Sequence, residues 1–131
     1  MSKRQVANLG VPWEESYCYS QAIKAGDYVF VSGQLSHDKK GNFVGVGDFE
    51  KQVRQTYENL KTVLGKFECS LEDVVHETVY VTDPATQGEI FSRIHRELYG
   101  KCPPGSDFIG IRRLFLEDQL IEIGVIAYKP K

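Results

Sequence analysis

The chain has 131 residues, 41% hydrophobic and 26% charged, with a formal net charge of −2, which suits one ordinary globular domain spanning 1–131 and speaks against a nucleic-acid binder, since that needs a clustered basic face. No apolar run approaches the ~20 residues that cross a bilayer, and "MSKRQVANLG" lacks the apolar core of a signal peptide. Cys18, Cys69 and Cys102 are odd in number, far apart and not in CxxC spacing, so they read as free thiols in a reducing compartment, and the expected location is the cytoplasm.

Residues 18–24, "CYSQAIK", and 28–34, "YVFVSGQ", are rich in aromatic, β-branched and small residues, and "AGD" between them is a turn. They predict a β-hairpin. "SHDKKGN" at 36–42 reads as a polar loop and "FVGVG" after it as a short strand. Asp48 is placed to cap a helix in which Phe49, Val53, Tyr57, Leu60, Val63, Leu64 and Phe67 form one apolar face. Glu50, Lys51, Arg54, Glu58 and Lys61 fall largely on the solvated face. Residues 70–83 contain a strand from Val74. Asp83-Pro84 then starts a second helix, with Ile90, Phe91, Ile94 and Leu98 inward, ended by Gly100 and Pro103. Residues 107–115 and 120–128 read as two more strands, joined by "LEDQ" as a hairpin turn. The order is β-β, helix, β, helix, β-β, with room for an N-terminal strand. This is an α+β domain, one mixed sheet with two helices packed on one face.

The last strand is apolar on both faces. Ile121, Ile123, Val125 and Ala127 point one way; Leu120, Glu122, Gly124, Ile126 and Tyr128 point the other. Two helices cover one face of a sheet, so the second face requires another cover, and a further copy of the chain is the simplest one. Glu122 lies on that second face. A carboxylate among apolar side chains is costly unless it is paired or used, and the sequence leaves both open.

"YSQAI" (19–23), "VFVSGQ" (29–34), "QVRQTYENLKTVL" (52–64), "SLEDVVHETVYVTD" (70–83) and "LIEIGVIA" (120–127), taken together and in this order, resemble the reactive-intermediate deaminase family, also called Rid (RidA) or YjgF-like. The resemblance covers nearly the whole chain. It implies a chorismate-mutase-like fold and a homotrimer whose sheets line a central barrel, with small-molecule clefts between subunits. It implies hydrolysis of imine or enamine acids to oxo acids and ammonia, with no metal or organic cofactor. In such a site an arginine grips the substrate carboxylate and a glutamate orients water, which matches what a guanidinium and a carboxylate do best.

Carried over residue by residue, the family glutamate falls on Glu122 as the catalytic group and the family tyrosine on Tyr19. The backbone around Ser32, Gly33 and Gln34 falls where the family lines its cleft. The family arginine belongs in a turn that here reads "PPGSD". Its position falls on Ser106, or on Gly105 with a slip of one, and the residue two places on is Phe108. The turn presents no cation, as in the divergent YjgH-like branch. Arg112 stands about 20 Å further along an extended strand and cannot substitute, and Arg113 faces the other way. Lys24, Arg93 or Arg96 of a neighbouring subunit could enter an intersubunit cleft, although solvated surface charge is their ordinary role.

Other constellations carry less. His37, His76, His95 and the cysteines have no metal-ligand spacing, so no metal is expected. His76 reads as a packed or hydrogen-bonded strand residue and Cys102 as a free, partly buried thiol. Ser32 sits outside a GxSxG elbow, and "GVGDFE" lacks the lysine and glycine spacing of a phosphate loop. Three functions of different class remain: a small imine or enamine hydrolase altered by the missing arginine, a non-catalytic small-molecule-binding homotrimer and, remotely, an endoribonuclease.

Overall fold

The hairpin expected near the N-terminus forms with a tighter turn than the sequence suggests. In the structure, a computed structural model describing residues 3–130, strands β2 (Ala22–Ala25) and β3 (Tyr28–Gln34) pair antiparallel with Ala25 opposite Tyr28. Gly26, at φ +60°, supplies the left-handed conformation that a two-residue connection needs. The N-terminal strand is present as β1 (Gln5–Ala7), antiparallel to β2. "FVGVG" makes only an isolated bridge, Phe43 to His37, because Gly45 and Gly47 both take positive φ and break an extended run.

Between β1 and β2 lies a short helix, α1 (Pro12–Ser16), that the hairpin reading passed over. Helix α2 (Phe49–Gly65) starts where Asp48 accepts a hydrogen bond from the Lys51 backbone N–H at 3.0 Å. Its apolar stripe of Phe49, Val53, Tyr57, Leu60, Val63 and Leu64 is buried. A 3-10 turn (Leu71–Asp73), capped reciprocally by Ser70 and Asp73, leads into β4 (Val74–Val81). Helix α3 (Pro84–Tyr99) has proline in its first turn and ends at Gly100 with φ +58°. Strands β5 (Gly105–Gly110) and β6 (Ile121–Tyr128) follow.

The six strands lie in the order β1-β2-β3-β6-β4-β5, all antiparallel except β4 with β5, which are parallel. This corrects the expected hairpin of 107–115 with 120–128. β6 inserts between β3 and β4, and β5 is joined to β4 by the α3 crossover. β5 stops at Gly110, where an added Cβ would meet Pro84 Cγ at 2.5 Å. Residues 111–119 then carry the chain past the end of β4 without strand structure. Sequence neighbours are therefore not sheet neighbours at this end.

Both helices pack on one face. Val29, Val31, Val79, Val81, Ile121, Ile123, Val125 and Ala127 form that face, against Tyr57, Leu60, Leu64, Phe91 and Ile94. Each fully buried aliphatic side chain contributes about 1.5–3 kcal/mol, so this layer is the main source of stability. The opposite face is open in the single chain: Tyr28 and Phe30 are each 45% exposed and Tyr128 41%. Among the described residues no helix is long and apolar enough to cross a membrane.

Candidate functional site

The site is built on a β-bulge. Val31 pairs with Val125 and Gln34 with Ile123, so β3 spends one more residue than β6 over the same stretch, at Ser32–Gly33. A bulge of this kind bends the strand and re-aims its side chains. Ser32 is tied down twice: its N–H donates to the Gln21 carbonyl at 2.8 Å and its hydroxyl donates to the Ser20 carbonyl at 2.7 Å. Its proton is committed to the backbone, so Ser32 shapes the wall and is not poised as a nucleophile. Gly33 lies directly against Glu122, with its missing Cβ position only 2.6 Å from Glu122 Cδ and 2.8 Å from Cγ. The carboxylate occupies the space that any other residue at 33 would fill.

Glu122 divides two recesses. On one side is a cavity of about 550 Å³ whose walls are Trp13, Tyr17, Tyr19, Ser32, Gly33, Leu35, Phe115 and Leu116. On the other is a shallow groove on the open sheet face, with His76, Thr78 and Tyr80 of β4 and Phe30 of β3. Burial pushes the Glu122 carboxyl above its ordinary value, and a long hydrogen bond from Gln119 Nε2, 3.5 Å, offsets this in part. Burial likewise raises the Tyr19 phenol, opposed by its hydrogen bond from Gln21 and reinforced by the Glu14 and Glu122 carboxylates. Glu14 holds α1 in place by accepting from the backbone N–H groups of Leu9 at 2.8 Å and Gly10 at 3.0 Å. That anchors Trp13 and Tyr17 at the cavity. Tyr17 meets Phe115 edge to face with centroids 5.2 Å apart.

The residues singled out from the sequence thus separate into three groups. Tyr19, Ser32, Gly33 and Glu122 meet at the cavity. Gln34 turns to the core side: it is buried and donates to Gln21 Oε1 at 2.7 Å and to the Ser32 carbonyl at 3.1 Å, so it supports the bulge from behind. Ser106 and Phe108 lie on the other side of the sheet from Glu122. The β4–β5 register sets Ser106 beside Glu77 and Phe108 beside Val79, both core-facing. Ser106 donates to Glu77 Oε2 at 2.7 Å, and Phe108 stacks on Phe91 at 5.1 Å. Gly105, the other position the family arginine could fall on, and Asp107 share Glu122's side of the sheet, and Asp107 Oδ2 lies 3.3 Å from His76 Nε2. Of the candidate replacement cations, Arg93 is held by Glu50 at 2.7 Å. Arg96 lines a separate cavity of about 660 Å³ between α3 and β5. Cys102 is exposed, not partly buried.

Sequence reasoning missed the aromatic wall. Pro12 at the start of α1 with Glu14 and Glu15 in its first turn is a legible helix start that would have placed Trp13 and Tyr17. It also missed Glu77, a fully buried carboxylate accepting from Tyr57 OH at 2.8 Å, Tyr99 OH at 3.2 Å, Ser106 Oγ and His95 Nε2. No single-sequence signal marks it, since "VVHETVYV" places it at an ordinary core parity. Among the described residues no three His, Cys, Asp or Glu side chains converge as a metal set would.

Residues 14–129 match the family described as endoribonuclease L-PSP. A RutC family protein of Pyrococcus horikoshii is 40% identical over 111 residues, 85% of this chain and 86% of that protein. The RutC family protein YjgH of Escherichia coli is 34% identical over 113 residues, 86% of this chain and 84% of that protein. A solved structure of a protein YjgH matches the fold with a TM-score of 0.85 at 30% identity, over 98% of each chain. The open-faced sheet with two helices behind it, the bulge against Glu122 and these matches agree: the chain belongs to the YjgF-like (RidA, RutC) family, whose family model bears the description endoribonuclease L-PSP.

Proposed function

We propose that the protein is a hydrolase of small imine or enamine metabolites that works as a homotrimer without a cofactor, with Glu122 orienting the attacking water. The observation that carries this reading is Glu122 itself. It is a half-buried carboxylate at the wall of an apolar cavity, packed on a glycine, with its pKa moved toward neutrality by burial. A structural glutamate would be fully partnered, as Glu77 is; Glu122 has one long hydrogen bond among the described residues.

In the proposed reaction, water hydrogen-bonded to Glu122 attacks the electrophilic carbon of a protonated imine. The carboxylate takes one proton of the water, and a carbinolamine forms. Glu122 returns the proton to nitrogen, the C–N bond breaks with its electrons leaving on nitrogen, and the carboxylate takes the hydroxyl proton. The products are a carbonyl compound and ammonia, and the proton, which the imine brought, passes to the ammonia or to solvent. The apolar walls exclude bulk water and hold the substrate against the carboxylate.

The trimer reading is supported by the exposed aromatic row of Tyr28, Phe30 and Tyr128 on the open face, next to Glu122's groove. The endoribonuclease reading draws no support from the cavity, since no Lys, Arg or His lines it.

The test is ammonia release from freshly generated imines, 2-iminobutanoate and a carboxylate-free imine, by the wild type and Glu122→Gln. Acceleration of at least one substrate that the variant lacks supports the hydrolase. Acceleration of neither leaves the cavity as a binding site without turnover.

A further inference from the structure

We infer that the Glu122 cavity takes a cationic ligand, a protonated imine or amine on an apolar body, and not a carboxylate-bearing one. The inference rests on the reading of this cavity as the functional site and adds the charge of what it binds.

Three observations carry it. The first is the cavity's charge balance: the lining that one chain supplies holds one acid, Glu122, and no Lys, Arg or His. A ligand carboxylate entering it would lose water without gaining a charge-assisted donor and would stand near a second carboxylate. The second is the wall. Trp13, Tyr17, Tyr19 and Phe115 give the cavity an aromatic lining, and aromatic faces attract an ammonium or iminium group while repelling nothing apolar attached to it. Tyr17 and Phe115 stand edge to face, so their planes are not parallel and both can flank one guest. The third is the start of β5. Register puts Gly105 and Asp107, not Ser106, on Glu122's side of the sheet, and neither is a cation. Asp107 is already against the imidazole of His76. The strand end from which a carboxylate-gripping cation would come therefore presents none on this face.

The sequence contains a single tryptophan, Trp13, and it lies in the cavity wall, so intrinsic tryptophan fluorescence reports on this site alone. The experiment titrates the full-length protein at neutral pH with two probes of equal length and the same ring, 2-phenylethylammonium and 3-phenylpropanoate. The expected result is a Trp13 fluorescence change with an affinity for the ammonium at least about tenfold above that for the carboxylate. Glu122→Gln is expected to remove most of that difference. Equal or tighter binding of the carboxylate, or no Trp13 response to either probe at millimolar concentration, overturns the inference; the wild-type comparison alone is decisive if the variant does not fold. The two readings fail separately. Ammonium preference with no ammonia release from any imine sinks the hydrolase and keeps the charge assignment. Turnover of 2-iminobutanoate with carboxylate preference does the reverse.

Discussion

Substituting Gly33 by alanine tests whether the position of Glu122, and not merely its presence, makes the site. The backbone at Gly33 is not in the left-handed region, so alanine is conformationally acceptable. In a compatible site a Gly→Ala change stabilises by about 0.4–1 kcal/mol through the unfolded chain. The obstacle is steric and comes from one side chain: the new methyl would sit 2.6 Å from Glu122 Cδ and 2.8 Å from Cγ, with Oε2 closer still, where ordinary contact begins at 3.4 Å. No other side chain is that near, so relief means rotating Glu122 away from β3. Overpacking of this kind costs about 1–3 kcal/mol, which the unfolded-state gain offsets in part. A displacement approaching 1 Å costs a positioned catalytic group on the order of 10²-fold. Gly33→Ala should therefore lower kcat/KM for ammonia release about 100-fold, or weaken 2-phenylethylammonium binding where no substrate turns over, with a net stability loss in urea of no more than about 2 kcal/mol. The decisive control is the same substitution in a Glu122→Ala background, measured at fixed protein concentration. With the carboxylate gone the clash is gone, and Gly33→Ala should become neutral or stabilising. An equal penalty in both backgrounds, or full activity in the single variant, refutes the reasoning.

Three further outcomes are expected. Glu77 is fully buried under four donors, and its removal strands Tyr57, Tyr99, Ser106 and His95 together, so Glu77→Ala should cost about 3–5 kcal/mol in urea unfolding; a loss below 1 kcal/mol would mean that the cluster holds little together. Burial raises the Glu77 carboxyl, but hydrogen bonds from His95 and Ser106 more than offset this and hold it below its ordinary value. Its stabilisation is present above the unfolded carboxylate range and lost as pH falls through the folded pKa. Burial, with the Glu77 charge, pushes the Tyr57 and Tyr99 phenols well above their ordinary value of 10.0, so their contribution is whole below that pH and falls once unfolded tyrosine ionises. Stability should plateau near neutrality and drop at both ends, and a curve flat through pH 11 would contradict the assignment. On the open face, Phe30→Lys should convert the proposed trimer to monomer by light scattering while leaving urea stability per chain within about 1 kcal/mol, since Phe30 is 45% exposed in the single chain.

The elements that the sequence made legible are those whose pattern is paid out locally. α2 follows from one cap and an apolar stripe, and β4 and β6 from β-branched alternation beneath it. α3 follows from Asp83-Pro84 and Gly100. Ile126 and Tyr128 already marked a second apolar face by parity. What stayed hidden depends on distant partners. β5 lies beside β4 because α3 returns the chain there, and nothing within 107–115 says so. Glu77 looks like any core position until the hydroxyls of α2 and α3 close on it.

The turn before β5 shows how much function can hang on such a hidden register. In a strand, a shift of one residue exchanges the two faces. Residues 105–110 are all exposed in the single chain and include glycine at both ends, so no hydrophobic alternation identifies which of them face the helices. The family resemblance puts its arginine position on Ser106, or on Gly105 with a slip of one, and neither residue is a cation. The pairing with β4 places Ser106 beneath the sheet, onto Glu77, and leaves Gly105 and Asp107 on Glu122's side. A neutral turn would weaken the hold on a carboxylate by the loss of one charge-assisted pair. Asp107, further along the same face and against His76, supplies no cation in its place. Which side chains of this strand face the helices and which face Glu122's side is thus set by a single residue of β5 register.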